Sequence, residues 1–220
     1  YIDKGVKNAY KNGVGNIADI NLMLISMLRS AGLKANPVLI SSKGNGVPLF
    51  PTLNGFDYVV AMVEFENNTY VLLDASDKYS IPNVLPSRAL NWNGRKVTKE
   101  GVSSWVKLMP KKHALEENKI MIKISEDMLS KGIIRTKYDN LNALIYRNSN
   151  NHIKEEDLII KLEEKYDLEI DGFKVLNKGN LMKPIVRSFK FESETLIENI
   201  NENIYIEPMF FLTIHENPFK

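Results

Sequence analysis

The amino-acid sequence predicts an α+β fold: a buried helix packed on an antiparallel sheet, followed by a second, strand-rich α+β domain. Three observations predict it. Residues 20–31 place hydrophobic side chains on nearly every side of a helix, and a helix apolar all round is a buried one. Two β-rich runs, 56–65 and 69–74, are separated only by Glu66-Asn67-Asn68, and asparagine tolerates the positive φ that a hairpin turn needs. Helical and strand patterns also come in blocks and not in the strict alternation of a parallel βαβ sheet.

In chain order, residues 1–11 carry Ile2, Val6, Ala9 and Tyr10 at a spacing close to one helical face, and Asn12-Gly13 ends that helix. Asp19 is placed to cap the next helix, which runs to Ala31 and stops at Gly32. Residues 37–41 read as a short strand and 42–54 as a Gly/Pro-rich loop. The hairpin follows. Pro82, Pro86 and Asn91-Trp92-Asn93-Gly94 mark irregular chain, and 105–108 a closing strand.

The character changes at Met109-Pro110-Lys111-Lys112, which predicts domains 1–110 and 111–220. The second domain begins with strands at 119–124 and 132–138. Helices follow at 140–147 and 154–166, the latter opening with Glu155, Glu156 and Asp157 where the helix dipole favours anions. Strands at 169–176, 185–191 and 203–214 complete it.

Composition narrows the function classes. The 220 residues are 44% hydrophobic and 25% charged, values of ordinary globular protein. Twenty-nine Lys and Arg against 27 Asp and Glu leave a net +2, a small excess and not a basic patch, which makes no electrostatic case for nucleic acid or an anionic membrane. Cysteine is absent, which removes disulfides, thiolate metal sites and cysteine nucleophiles together. The three histidines, His113, His152 and His215, all lie in the second half and lack metal-ligand spacing. No stretch approaches the length of a membrane helix, and no signal-peptide pattern is visible. The expectation is no cofactor, no metal and no direct membrane insertion.

The run Gly15-Asn16-Ile17-Ala18-Asp19-Ile20-Asn21-Leu22, continued by Ala31-Gly32-Leu33 and Pro37-Val38, resembles the transglutaminase-like family, which has the papain-like cysteine peptidase fold. The family opens its buried helix with Gly-x-Cys-x-Asp. Phe56-Asp57-Tyr58-Val59-Val60 resembles the strand carrying its histidine, and Tyr70-Val71-Leu72-Leu73-Asp74-Ala75 the strand carrying its aspartate. The likeness covers roughly residues 1–108. The end of the chain, Glu216-Asn217-Pro218-Phe219-Lys220, looks like the region after this core in large multidomain bacterial proteins. The resemblance therefore implies a chain without its N-terminal neighbour, cut short at its C-terminus. It also implies a periplasmic or cell-envelope location, with the signal outside this chain.

The family's acyl transfer, which covers transamidation and amide hydrolysis, needs a thiolate at a helix N-terminus, a histidine base and an orienting aspartate. Carried over position by position, the arrangement fails twice. Ile17 stands at the nucleophile and Tyr58 at the base, leaving only Asp74. An isoleucine has no lone pair, and a phenol with a reference pKa near 10 is a poor base at neutral pH. Asp74 reads either as a partner of the Tyr58 hydroxyl or as a retained catalytic acid.

The cleft candidates are Asn16, Asp19, Asn21 and Asp57. Capping alone accounts for Asp19, and Asn21 reads as a structural hydrogen-bonder or a ligand contact. Asp57, Asp74, Asp77 and Glu64 form no calcium-loop spacing. Trp92 and Trp105 read as core anchors. The expected function is a non-catalytic transglutaminase-like module that binds a protein or peptide segment, or serves as a scaffold, within a larger bacterial envelope protein. The alternative is an active amide hydrolase or transamidase using unconventional residues.

Overall fold

The computed structural model describes residues 5–52, 54–201, 203–207, 209–213 and 217. The first turn of the predicted helix 1–11, His215 and all of 216–220 except Asn217 lie outside them. The chain is mixed α+β, with antiparallel sheets and four helices among the described residues. It divides into two compact units: Tyr1–Ala114 with Asn140–Ile145, and Leu115–Asp139 with Tyr146–Lys220.

In the first unit α1 (Val6–Asn12) stops at Gly13, whose φ of 67° is the left-handed conformation glycine adopts freely. Helix α2 (Ile17–Ser30) follows. Its cap is Asn16 and not the predicted Asp19. Asn16 Oδ1 accepts from the Asp19 amide at 2.8 Å while Asp19 Oδ2 accepts from the Asn16 amide at 3.3 Å. Asp19 is thus the third helical residue of a capping box, a role its sequence position permits equally well. Gly32, at φ 84°, ends the helix as predicted.

Strands β1 (Lys34–Ile40), β2 (Tyr58–Glu64), β3 (Tyr70–Leu73), β4 (Asn93–Val97) and β5 (Ser103–Lys107) form one antiparallel sheet in the order β3-β2-β1-β4-β5. The β2–β3 turn holds Asn68 at φ 60°, the use of asparagine that its sequence position predicts. Strand β2 is buried on both faces. Ala61 and Val63 meet Ile25 of α2, whereas Tyr58, Val60 and Met62 pack with Val38, Ile40, Leu85, Ala89 and Leu108.

Three expectations need correction here. Helix α2 is not buried all round: Ser26 and Ser30 are exposed and Met27 retains 55% of its surface. The sheet takes Leu22, Leu24, Ile25 and Leu28, and Met27, on the far side, stays largely exposed. The stretch around Asn91-Trp92-Asn93-Gly94 is a turn only as far as Trp92 (φ 56°), after which β4 begins. Neither tryptophan is a core anchor: Trp92 is 69% exposed, and Trp105, on edge strand β5, is 41% exposed.

In the second unit β6 (Leu115–Ile124), β7 (Ser130–Asp139), β8 (Glu169–Leu176) and β9 (Ile185–Ser193) form a four-stranded antiparallel sheet ordered β6-β7-β9-β8. Helix α3 (Leu141–Asn150), whose residues up to Ile145 belong to the first unit, leads to α4 (Glu155–Tyr166). Leu158 and Leu162 of α4 pack on Ile134, Phe173, Phe189 and Phe191 from one face of this sheet. The predicted strand 203–214 is shorter than expected. Strand β11 (Asn203–Ile206) pairs with an unpredicted β10 (Ile197–Ile200), and residues 210–212 form a 3-10 turn.

Candidate functional site

Helix α2 delivers two side chains one turn apart, Ile17 and Asn21, to one face of the helix. Asn21 is fully buried. Its amide donates to Asp74 Oδ1 at 2.9 Å, and its oxygen accepts from the Ala75 amide at 2.9 Å. These bonds tie the first turns of α2 to the chain leaving β3, and they set Asp74 beneath the start of β2. There the Tyr58 hydroxyl donates to Asp74 Oδ2 at 2.6 Å. Ile17 packs against the cluster that contains Tyr58, and both line the same cavity.

Asp74 is saturated. Besides Asn21 and Tyr58, it accepts at Oδ1 from the Ser76 amide at 2.9 Å and from the Ser76 hydroxyl at 2.6 Å. Ser76 sits two residues on, the spacing at which an aspartate closes a turn on its own backbone. Arg88, on the short 3-10 turn Ser87–Ala89, supplies the compensating cation. Its Nε and Nη2 donate to the Tyr58 oxygen at 3.2 and 3.0 Å, and its guanidinium lies 5.4 Å from the Tyr58 ring centroid. It also reaches Asp77 Oδ2 at 3.9 Å. Burial, then the bond to Asp74, pushes the Tyr58 hydroxyl up to about 12. At neutral pH its proton stays in place and is directed at Asp74, so the phenol accepts no proton from a nucleophile.

The cavity has a volume of about 710 Å³. Ile17, Leu39, Phe56 and Val59 give it apolar walls, and Thr52, Asn54, Asp57, Arg95 and Ser103 give it polar points. Arg95 lies against the Trp105 ring at 4.9 Å and donates to the Ser103 hydroxyl at 3.1 and 2.9 Å.

Of the four cleft positions read from sequence, Asp57 lines the cavity, and it is also spent on the start of the preceding loop. Its carboxylate accepts from the Ser42 amide and hydroxyl, each at 2.6 Å. Asn16, Asp19 and Asn21 do not line it. The first two complete the helix cap, with Asp19 buried and also accepting from the Gly5 amide at 3.2 Å, and Asn21 holds Asp74. Nor do the acidic residues weighed as a calcium set converge. Burial raises Glu64, but the hydrogen bond and charge of Lys96, aided by Asn36 and Lys34, outweigh it and hold the carboxyl below its ordinary range. Among the described residues no three His, Asp or Glu side chains gather as a metal site, and no helix is long and apolar enough to cross a membrane.

Sequence reading missed Arg88, Ser76 and Arg95. Arg88 left a signal: it is a lone cation inside Leu85-Pro86-Ser87-Arg88-Ala89-Leu90, whose Leu85 and Ala89 are core residues. No protein-family model, curated protein or solved structure matches this chain.

Proposed function

We propose that the first unit is a degenerate transglutaminase-like core that has given up acyl transfer and retains its cleft for binding a protein or peptide segment, within a larger bacterial envelope protein. One observation carries the reading. An apolar side chain, Ile17, stands at the N-terminus of α2 beside a tyrosine whose hydroxyl is committed to Asp74. The positions run in the order nucleophile, base and orienting acid, with the last intact and the first two chemically silent. The cleft gives the reading its positive content: apolar walls flanked by Arg95, Thr52 and Asn54 suit an extended segment with apolar side chains and a backbone to hydrogen-bond.

The test has two arms. Glutamine-containing peptides with hydroxylamine should yield no hydroxamate and no ammonia; turnover that disappears in Tyr58→Phe would establish an enzyme instead. A peptide array probed with the protein should return apolar extended sequences whose binding is lost in Val59→Arg or Leu39→Arg. An array without hits, or hits indifferent to both changes, would leave the unit as a spacer.

A further inference from the structure

The second unit covers only one face of its sheet. On the other face the register sets like charges directly opposite one another: Lys119 faces Arg135 and Lys123 faces Lys131 across β6 and β7. Such pairs destabilise a sheet by themselves. Between the two rows lies an apolar pair, Met121 opposite Ile133, with 72% and 42% of their surfaces exposed. Lys190 of β9 pairs next to Ile133 and closes the ring.

Two of these cations are answered at the margins, Lys119 by Glu117 at 3.0 Å and Lys131 by Glu192 at 2.7 Å. Lys123, Arg135 and Lys190 form no hydrogen bond or ion pair with any described residue. Asp171 of β8 stands opposite Lys190 and the charge of Arg135 acts on Glu117, but cations still outnumber carboxylates around the exposed apolar centre, although the whole chain carries only +2.

We propose that this face docks an acidic protein segment that places an apolar side chain on Met121 and Ile133 and carboxylates on Arg135, Lys123 and Lys190. Three features select that occupant. The cationic area spans about 13 Å along β6 and about 10 Å across three strands at ordinary strand spacings, the footprint of a few extended residues. Glu192, with Glu169 opposite it on β8, bounds the patch, so a long polyanion or a lamellar lipid surface would meet acidic side chains at its edge. No aromatic side chain stands at the outward positions of the four strands, whereas base stacking on aromatics is how sheet surfaces hold single-stranded nucleic acid.

The probe is a fluorescein-labelled Glu-Leu-Glu-Glu-Leu-Glu peptide, followed by polarisation on the whole chain. Saturable binding is expected. It should weaken about tenfold or more in Arg135→Glu combined with Lys190→Glu, weaken severalfold in Met121→Ser, and fall as salt is raised from about 20 to 300 mM. The urea midpoint of Arg135→Glu should equal or exceed that of the parent, because the change places an opposite charge across from Lys119; this separates a docking role from a structural one. Ile17→Arg, in the first unit's cleft, should leave the peptide's affinity unchanged. No saturation, survival of binding in the double reversal, loss of binding in Ile17→Arg, or tighter binding of oligothymidylate or phosphatidylserine vesicles than of the peptide would each overturn the proposal.

Discussion

The Tyr58 hydroxyl donates to Asp74 Oδ2 at 2.6 Å, and the Tyr58 oxygen itself accepts two bonds from Arg88. A carboxylate, a neutral phenol and a guanidinium thus form a relay in which the phenol passes the cation's stabilisation to the buried anion. The relay is complete at neutral pH without movement of a proton.

Asp74→Ala removes an acceptor that satisfies Tyr58, Asn21 and Ser76 at once. Stranding those buried donors should lower the unfolding free energy by about 3–5 kcal/mol in urea titration. Tyr58→Phe, which keeps the ring packing and leaves Asp74 its other donors, should cost about 1–2 kcal/mol. Equal costs for the two changes would show that Asp74 does not depend on the network.

A thiol installed by Ile17→Cys faces Tyr58 and no imidazole, so its alkylation rate should rise with pH about an ordinary cysteine pKa near 8.5. With Tyr58→His added, Asp74 lies within reach to orient the new imidazole, and the alkylation profile should move down by about one unit or more. Profiles that coincide would mean that Ile17 does not face position 58.

Two tyrosines, Tyr58 in the first unit and Tyr138 in the second, are pushed up to about 12, in each case mainly by burial. A group whose folded pKa is raised contributes stability that is complete below the unfolded value and lost as pH climbs through the folded one. Stability should therefore hold to about pH 9.5 and then fall between about pH 10 and 12, by at most about 1.4 kcal/mol per pH unit for each phenol. Phenolate absorbance should show the same two groups ionising last, and Tyr58→Phe should remove one of them. A flat urea midpoint from pH 9 to 12 would contradict both shifts.

Arg147 is buried in the second unit, and its guanidinium donates to the carbonyls of Asn177, Lys178, Asn180 and Lys183 at 2.8–3.3 Å. One side chain thereby organises the whole β8–β9 connection. Arg147→Lys retains the charge but not the planar fork that reaches several carbonyls. Amide exchange in residues 177–183 should accelerate by about tenfold or more, with a stability loss of about 2–4 kcal/mol. Unchanged exchange there would show that the loop holds its own shape.

Much of the fold was legible because local chemistry decides it. The hairpin between β2 and β3 follows from asparagines that accept positive φ, and the end of α2 from Gly32. Strand β8 follows from its β-rich pattern at 169–176. Where reading failed, two local roles were equally available. Asp19 fits a cap or a capping-box partner, and only the position of Asn16 chooses. The sides of α2 are all apolar enough to be buried, and only the extent of the sheet beneath decides which ones are.

The sequence by itself determined what is absent at these positions: without cysteine there is no thiolate, and isoleucine at 17 and tyrosine at 58 offer neither a nucleophile nor a neutral-pH base there. It also determined α+β organisation, through the periodicity of its apolar residues. Tertiary structure alone decided that Tyr58, Asp74 and Arg88 form one network, and that cations scattered along β6, β7 and β9 share a face. Both outcomes join residues far apart in sequence. Their distances are set by strand register and helix docking, which no local propensity encodes.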